Sequence, residues 1–412
     1  MLAVREFRPL LGNFLLSTIG DELARVALTV LVYQRTSSAL LSAITFAISY
    51  LPWLIGGPVL SALADRLPRQ RVMVATDAGR AVLVALMAVP GMPLPALLVL
   101  MFVLALCSPP FESARSALVA DVLEGDRYAV ANSMTNVGLQ VAQVVGFVAA
   151  GALVTWVDPA GALLVDAATF VVSAIWLACG LQRRPAPTGD GERKSLLRDA
   201  LEGFSFIQRS PRLVAIIAVL WLGTGFVYAP EGIAAPLVAE LGLGATGVGI
   251  LLAANPLGVT IGGLAVARLV APRRREQLVP ALVVLSLVPM VLAGLTAGLA
   301  PPGVLTFSVV VVLLFVSGLG SAWMIPLNVA FVQAVPASHR GRAFGVAVSG
   351  LYGVQGLGAL AAGAAAEAFP PSGVVVLCGA IGLAAVVLPL LALARTQGHV
   401  AGEHAAAGPS VS

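Results

Sequence analysis

The chain has 412 residues, 59% of them hydrophobic and only 11% charged, with a net charge of +4 and a mean hydropathy of +0.97. A typical soluble domain carries roughly 25% charged residues, so a soluble fold of this size, a disordered chain and an ordinary water-soluble enzyme are excluded. The composition fits the bilayer as solvent.

Crossing the hydrocarbon takes about 20 apolar residues per helix. The sequence divides into twelve such runs, at about 10–33, 38–62, 72–91, 95–114, 128–155, 159–181, 212–238, 245–267, 277–299, 303–334, 343–367 and 372–394. Gly and Pro mark the turns between them, as in Pro90-Gly91-Met92-Pro93, Asp158-Pro159 and Pro301-Pro302-Gly303. Met1–Leu10 holds Arg5, Glu6, Arg8 and Pro9 and runs straight into a full-length apolar span, so no cleavable signal sequence is expected. Cys107, Cys179 and Cys378 are scattered through apolar runs and form neither a disulfide framework nor a metal spacing.

The basic residues orient the spans. With the N-terminus in the cytoplasm, 21 of the 24 Lys and Arg fall on the cytoplasmic side, Arg35 alone falls opposite, and Arg25 and Arg80 lie within spans. This asymmetry places both termini in the cytoplasm. It also makes the pI near 9.3 a topology signal rather than a nucleic-acid footprint.

The longest hydrophilic stretch, 182–211, separates six spans from six. Pro185, Pro187, Gly189 and Gly191 make its first part a linker. The run Leu196–Gln208 spaces its apolar residues as an amphipathic helix on the membrane surface. Gln143–Gly151 (QVVGFVAAG) and Gln355–Gly363 (QGLGALAAG) share the pattern Q-x-x-G-x-x-A-A-G, one in the fifth span and one in the eleventh. A duplication of six spans puts those helices in equivalent places. The expected fold class is therefore an all-α polytopic membrane protein. Its parts are a six-helix bundle at 1–181, a linker with an amphipathic helix at 182–211, a pseudosymmetric six-helix bundle at 212–394 and a disordered cytoplasmic tail at 395–412.

Between the second and third spans the chain reads SALADRLPRQR, Ser61–Arg71. This resembles the G-x-L-A-D-R-x-G-R-[KR] motif of the major facilitator superfamily: Leu63, Ala64, Asp65, Arg66 and Arg69 fit, while Ser61, Pro68 and Gln70 depart. The first span, with Gly20-Asp21-Glu22-Leu23-Ala24-Arg25, and the run Val72–Ala81 are similar to the bacterial branch of siderophore, macrolide and other drug exporters. The antiporter motif of the fifth span is only partly present, since Gly146 and Gly151 fit but Phe147 and Ala150 do not. The resemblance implies a gate at the cytoplasmic helix junction, formed by Asp65, Arg66 and Arg69 with Glu112 and Arg115 at the end of the fourth span and the start of the eleventh.

Charged groups within spans cost about 2.5–3.5 kcal/mol each on insertion scales, so each needs an account. Asp21 and Glu22 both stand one turn from Arg25 and can share its guanidinium. Two negatives against one positive make either a proton-binding group, an anchor for a cationic substrate, or a structural ion triad. Asn13, Ser17, Asp21, Arg25 and Thr29 form a polar stripe suited to a water-filled cavity. In the seventh span, Trp221, Thr224, Tyr228 and Glu231 share a face, with Glu231 as the strongest acidic candidate of the second half. In the fifth, Asn132, Asn136, Gln140 and Gln143 recur at helical spacing and either bind substrate or link helices. Asp77 and Arg80 are expected to pair structurally, and Asn255 and Asn328 either line the cavity or bond between helices.

The sole lysine, Lys194, follows Arg193 rather than Gly, so no phosphate-binding loop exists and ATP-driven pumping is not expected. His339, His399 and His404 lie in a loop or the tail and no H-E-x-x-H or G-x-S-x-G occurs, which leaves a membrane-embedded enzyme without its groups. A scaffold has no need of Asp21 and Glu22 at mid-membrane. The resemblance implies a secondary transporter of the bacterial cytoplasmic (inner) membrane, working by alternating access. The expected activity is proton-coupled efflux of an amphipathic small molecule, with uptake or facilitated diffusion of a metabolite as the alternative. The expected partners are a small-molecule substrate, protons and lipid, with no cofactor, metal or nucleic acid, and a monomer suffices.

Overall fold

The computed structural model describes residues 4, 6–55, 67–123, 126–182, 184, 196–336 and 339–406, and among them every regular element is helical. Helix α1 (Phe7–Thr36) stops at Ser37, whose left-handed backbone (φ 51°) returns its N–H to the Tyr33 carbonyl at 2.8 Å. Ser38 then caps α2 (Ala39–Ile48), its hydroxyl accepting the Leu41 N–H at 3.1 Å. Next come α3 (Leu51–Ile55), α4 (Arg69–Met87), α5 (Leu94–Leu106) and α6 (Ser108–Val122).

A 55-residue helical run, α7 (Asp126–Gly180), is broken at Asp158 (φ 66°, ψ 171°). Pro159 prevents straight continuation, and the Asp158 carboxylate caps the second arm by accepting the Gly161 N–H at 2.8 Å. The two arms cover the fifth and sixth predicted spans.

The linker contains α8 (Leu196–Gln208). It lies on the start of α16 (Arg340–Ala365). Glu202 pairs with Arg342 at 2.7 Å, Phe206 stacks on His339 at 4.6 Å, and Gly203 meets the Arg342 carbonyl closely enough to exclude a side chain.

The seventh span is α9 (Pro211–Tyr228), a 3-10 turn at Ala229–Ile233 and α10 (Ala234–Glu240). It is followed by α11 (Ala245–Leu269), the short α12 (Pro272–Arg275) and α13 (Val279–Leu299). The tenth span, α14 (Val304–Gly320) and α15 (Met324–Ala334), is interrupted by a 3-10 turn at Ser321–Trp323. After α16, α17 (Pro371–Ala406) is the last described element. It runs past the predicted end at 394 into part of the stretch expected to be a disordered tail; Ala401, Ala405 and Ala406 are strong helix formers.

Among the described residues, eight helices are long and apolar enough to cross a membrane. Helices α1 and α4 are not among them, and both are rich in charge: Asp21, Glu22 and Arg25 in one, Arg71, Asp77 and Arg80 in the other. Many large apolar side chains face outward, among them Val99, Trp156, Leu305 and Leu388, as lipid contact requires.

Helix α1 packs on α7, and α4 on α6 and α7. In the second half α13 packs on α14 and α17, and α9 on α16 and α17. Two seams join these groups, α7 to α11 and α2 to α16. The two sequence repeats sit at matching places. Gly146 lies against the Ile19 backbone of α1, and Gly358 against the Gly225 backbone of α9. At the other end of each repeat, Gly151 lies against Gly249 of α11 and Gly363 against Ala39 and Ala43 of α2. Small residues let these backbones touch.

Polar contacts tie the same seams at the end of the molecule that carries Arg35. The Glu367 carboxylate accepts the Ser38 hydroxyl at 2.7 Å and the Leu40 N–H at 2.8 Å, and Thr155 and Thr246 share a hydrogen bond of 2.8 Å. Donation by the Leu40 N–H and the Ser38 hydroxyl holds the Glu367 carboxyl below the usual carboxylate value of 4.5. A depressed value makes this contact complete at neutral pH and lost only as pH falls through the lowered value. Hydrogen exchange at the Leu40 amide, corrected for its intrinsic rate, should stay slow down to pH 4.5 and rise below it. In Glu367→Ala it should be fast at every pH. Equal protection in variant and parent would show that the carboxylate does not hold α2.

Candidate functional site

The charged middle of α1 borders a cavity of ≈ 430 Å³ between the two seams. Its wall includes Asp21, Glu22, Arg25 and Ser17 from α1, Glu112 and Arg115 from α6, Asn136, Gln140 and Gln143 from α7, and Tyr228 and Glu231 from the seventh span. The helices are broken where they meet it. Ser49 and Tyr50 stand between α2 and α3, Ser108 opens α6 after the turn at Cys107, Glu231 sits in the 3-10 turn after α9, and Met324 follows the turn after α14. Pro109, Pro230 and Pro326 account locally for three of these breaks. Irregular backbone at membrane depth is tolerated where it lines a cavity.

The α1 acids take different partners. Glu22 is buried, pairs with Arg25 at 2.9 Å and accepts the Gln143 amide at 3.3 Å. Arg25 also stands 5.3 Å from the ring centres of Phe46 and Tyr50, a cation over two aromatic faces. Asp21 turns the other way, toward Arg80 at 4.0 Å. The shared guanidinium expected for Asp21 and Glu22 is thus replaced by two separate pairs.

Arg80 is 1% exposed and carries the densest polar network in the first half. It pairs with Asp77 at 3.6 Å, donates to Ser17 at 2.9 Å and to Ser108 at 3.0 Å, and lies over the rings of Phe111 and Phe170. Asp77, fully buried, also accepts from Asn13 at 3.0 Å and from the Ser173 hydroxyl. Asn13 therefore faces α4 and α7 rather than the cavity, although it shares the α1 stripe with Ser17. Asp166, also buried, accepts from Thr169 at 3.3 Å and lies against Gly20.

Asp65 and Arg66 lie outside the described residues. Arg69 donates to the Ala117 carbonyl at 3.3 Å and pairs with Asp121 near the end of α6. It does not meet Glu112 or Arg115. Those two pair with each other at 2.6 Å, and the Arg115 guanidinium covers the Phe14 ring at 4.1 Å.

Of the seventh-span face, Tyr228 and Glu231 reach the cavity. Trp221 instead donates to the Ala347 carbonyl at 3.0 Å and Thr224 is buried. Asn132 and Asn328 are exposed, and Asn255 lines a smaller chamber behind Glu231. Sequence reasoning missed Tyr50, Trp53 and Tyr352, which stack across the α2–α16 seam (Trp53–Tyr352 4.9 Å, Tyr50–Tyr352 6.1 Å) and line the cavity. Their signal was scarcity, since the chain has five tyrosines and three of them are in this wall.

A cavity of this size, walled by aromatic rings and facing charges of both signs, suits a small molecule with apolar and ionic parts. Residues 10–305 and 220–410 match the sequence profile of the Major Facilitator Superfamily, and the chain belongs to that family. It is similar to the MFS-type transporter YfiS of Bacillus subtilis, 25% identical with 90% of this chain and 89% of the relative covered. The multidrug efflux pump Tap of Mycobacterium tuberculosis is 27% identical, with 92% of each chain covered. Among solved structures, the nucleoside transporter NupG superposes with a TM-score of 0.76 at 12% identity, covering 94% of this chain and 99% of that one. A POT family transporter crystallised with 5-aminolevulinic acid gives 0.73 at 11% identity, covering 93% and 96%. The protein is thus a polytopic membrane transporter of this family.

Removing one partner of a buried ion pair costs about 3–5 kcal/mol because the other charge is left alone. Arg80→Met should therefore lower the thermal midpoint of the detergent-solubilised protein by several degrees. Adding Asp77→Asn to the same chain should restore part of the loss. Equal midpoints for Arg80→Met and the parent would remove the network from the determinants of the fold.

Proposed function

We propose that the chain is a proton-coupled exporter of amphipathic small molecules in a bacterial cytoplasmic membrane. In this reading twelve spans form two six-helix bundles with both termini in the cytoplasm, and a single copy suffices. The bundles rock about the central cavity and open it to one side at a time. The matching glycine contacts of the two repeats support the pseudosymmetry, and the likeness to the multidrug efflux pump Tap supports the direction and the substrate class.

The observation that carries the reading is the charge balance of the cavity wall. Asp21, Glu22, Glu112 and Glu231 face Arg25, Arg80 and Arg115, and because Arg80 also answers the buried Asp77 the carboxylates are in surplus. The surplus of carboxylates lets the cavity take up positive charge, either a proton or a cationic substrate, and exchange follows when the two compete. Tyr50, Trp53, Tyr228 and Tyr352 supply apolar and π surface for the rest of an amphipathic guest. Asn136 and Gln140 supply neutral hydrogen bonds. Arg69, bonded to the end of α6, belongs with Asp65 and Arg66 to the cytoplasmic gate, while Glu112 and Arg115 act at the cavity itself.

The test is flux in proteoliposomes, with an imposed pH gradient and a fluorescent organic cation such as ethidium. The parent should move the dye against its gradient. Asp21→Asn and Glu22→Gln should abolish gradient-driven movement at unchanged protein yield, and dye binding should weaken. If both variants pump at the parental rate, α1 does not carry the proton.

A further inference from the structure

Behind the central cavity, inside the second half, lies a separate chamber. It leaves ≈ 30 Å³ for the centre of a water-sized guest, enough for one or two such guests. Glu231 lines both spaces and is the wall between them. The rest of the chamber is apolar except for Asn255 and Ser317.

The polar groups there are rich in acceptors, the Asn255 amide bringing the N–H donors among these side chains. Glu231 brings a carboxylate. The Asn255 side-chain oxygen is buried and has no hydrogen-bond partner. The Ser317 hydroxyl spends its proton on the Ser286 carbonyl at 2.6 Å, which leaves its lone pairs unused. Pro256, inside α11, has no N–H for the carbonyl one turn back, that of Leu252, another lining residue. Pro230, in the 3-10 turn beside Glu231, removes a second backbone donor. An enclosed set of oxygens short of donors is what a hard cation requires, and interrupted helices supply such carbonyls to coupling ions in transporters.

We infer that this chamber is a binding site for a small monovalent cation, sodium or hydronium, held between Glu231 and Asn255. The inference rests on the reading of Glu231 as a pathway residue and adds the ion's coordination shell. The cation enters from the central cavity past Glu231 and is shielded there from the substrate. Its charge cancels that of Glu231, so an occupied chamber changes what the cavity wall presents to an organic cation. The titratable groups facing Glu231 are Tyr228 on α9, Glu22 and Arg25 on α1, and Tyr50 after α2. The chamber-lining residues from α11, α13, α14 and α17 carry no ionisable side chain.

The experiment is equilibrium binding of radioactive sodium to the full chain in detergent micelles, without any gradient, at alkaline and at mildly acidic pH. A pH dye records protons taken up or released. The expected result is saturable sodium binding at alkaline pH, weakened roughly tenfold or more on acidification and in Asn255→Leu. In Asn255→Asp, where an acceptor remains, binding should persist. Size-exclusion profiles check that the variants are folded. If sodium does not bind but the protein takes up a proton that Asn255→Leu abolishes, the chamber holds hydronium. If neither sodium binding nor an Asn255-dependent proton uptake is seen, the chamber holds ordinary water and the inference is wrong. Because no flux is measured, failure here is separable from failure of dye export, and export can fail while the ion still binds.

Discussion

Charge in hydrocarbon must be matched or hydrated, and this constraint organises the molecule. Apart from Asp166, which is buried against Thr169 and Gly20, the ionic side chains of the charged middle of the molecule meet one of two fates. Asp77 and most of Arg80 are sealed among serines, an asparagine and two phenylalanine rings, where the two charges answer each other. Asp21, Glu22, Arg25, Glu112, Arg115 and Glu231 open onto the central cavity, where water or substrate completes them. Arg80 joins the two populations, since it touches Asp77 on one side and Asp21 on the other. The first half is therefore stiff where it meets α4 and chemically unfinished where it meets the cavity.

The same constraint governs the backbone. Four helices lose their regularity at the cavity wall, at Ser49-Tyr50, Cys107-Ser108, Ala229–Ile233 and Ser321–Trp323. Elsewhere in the described spans the interruptions are at turns such as Asp158, outside the lined space. Glu231 sits on the 3-10 turn between α9 and α10 and lines two cavities.

Much of the fold was legible because the bilayer fixes helix length and leaves only turn chemistry to choose boundaries. The helix Leu196–Gln208 was legible at its C-terminal end, since Ser210-Pro211 begins the next helix. The acids of α1 were legible as site residues because an apolar run offers them no other place. What a single sequence lacks is azimuth. Asn13 and Ser17 are one turn apart, yet Asn13 turns to Asp77 and Ser173 while Ser17 reaches the cavity. Asp21 finds Arg80 from another helix rather than the nearer Arg25 in sequence. Glu112 and Arg115 were read as the end of a helix at a gate, but α6 continues to Val122 and leaves them beside Phe14 at the cavity. Long-range partners of this kind depend on how α1, α4, α6 and α7 are rotated about their axes, which periodicity does not encode.

At the α7–α11 seam, Gly151 and Gly249 meet backbone to backbone, and Gly363 does nearly the same on α2. Such a junction has no interlocking knobs. Parting it unmeshes no side chains at the glycines, so the work is that of exchanging weak dispersion contacts for lipid or water and of releasing the few polar ties at the seam ends, Thr155–Thr246 and Glu367–Ser38. Smooth faces of this sort behave like a plain bearing: they carry load when pressed together and roll without catching.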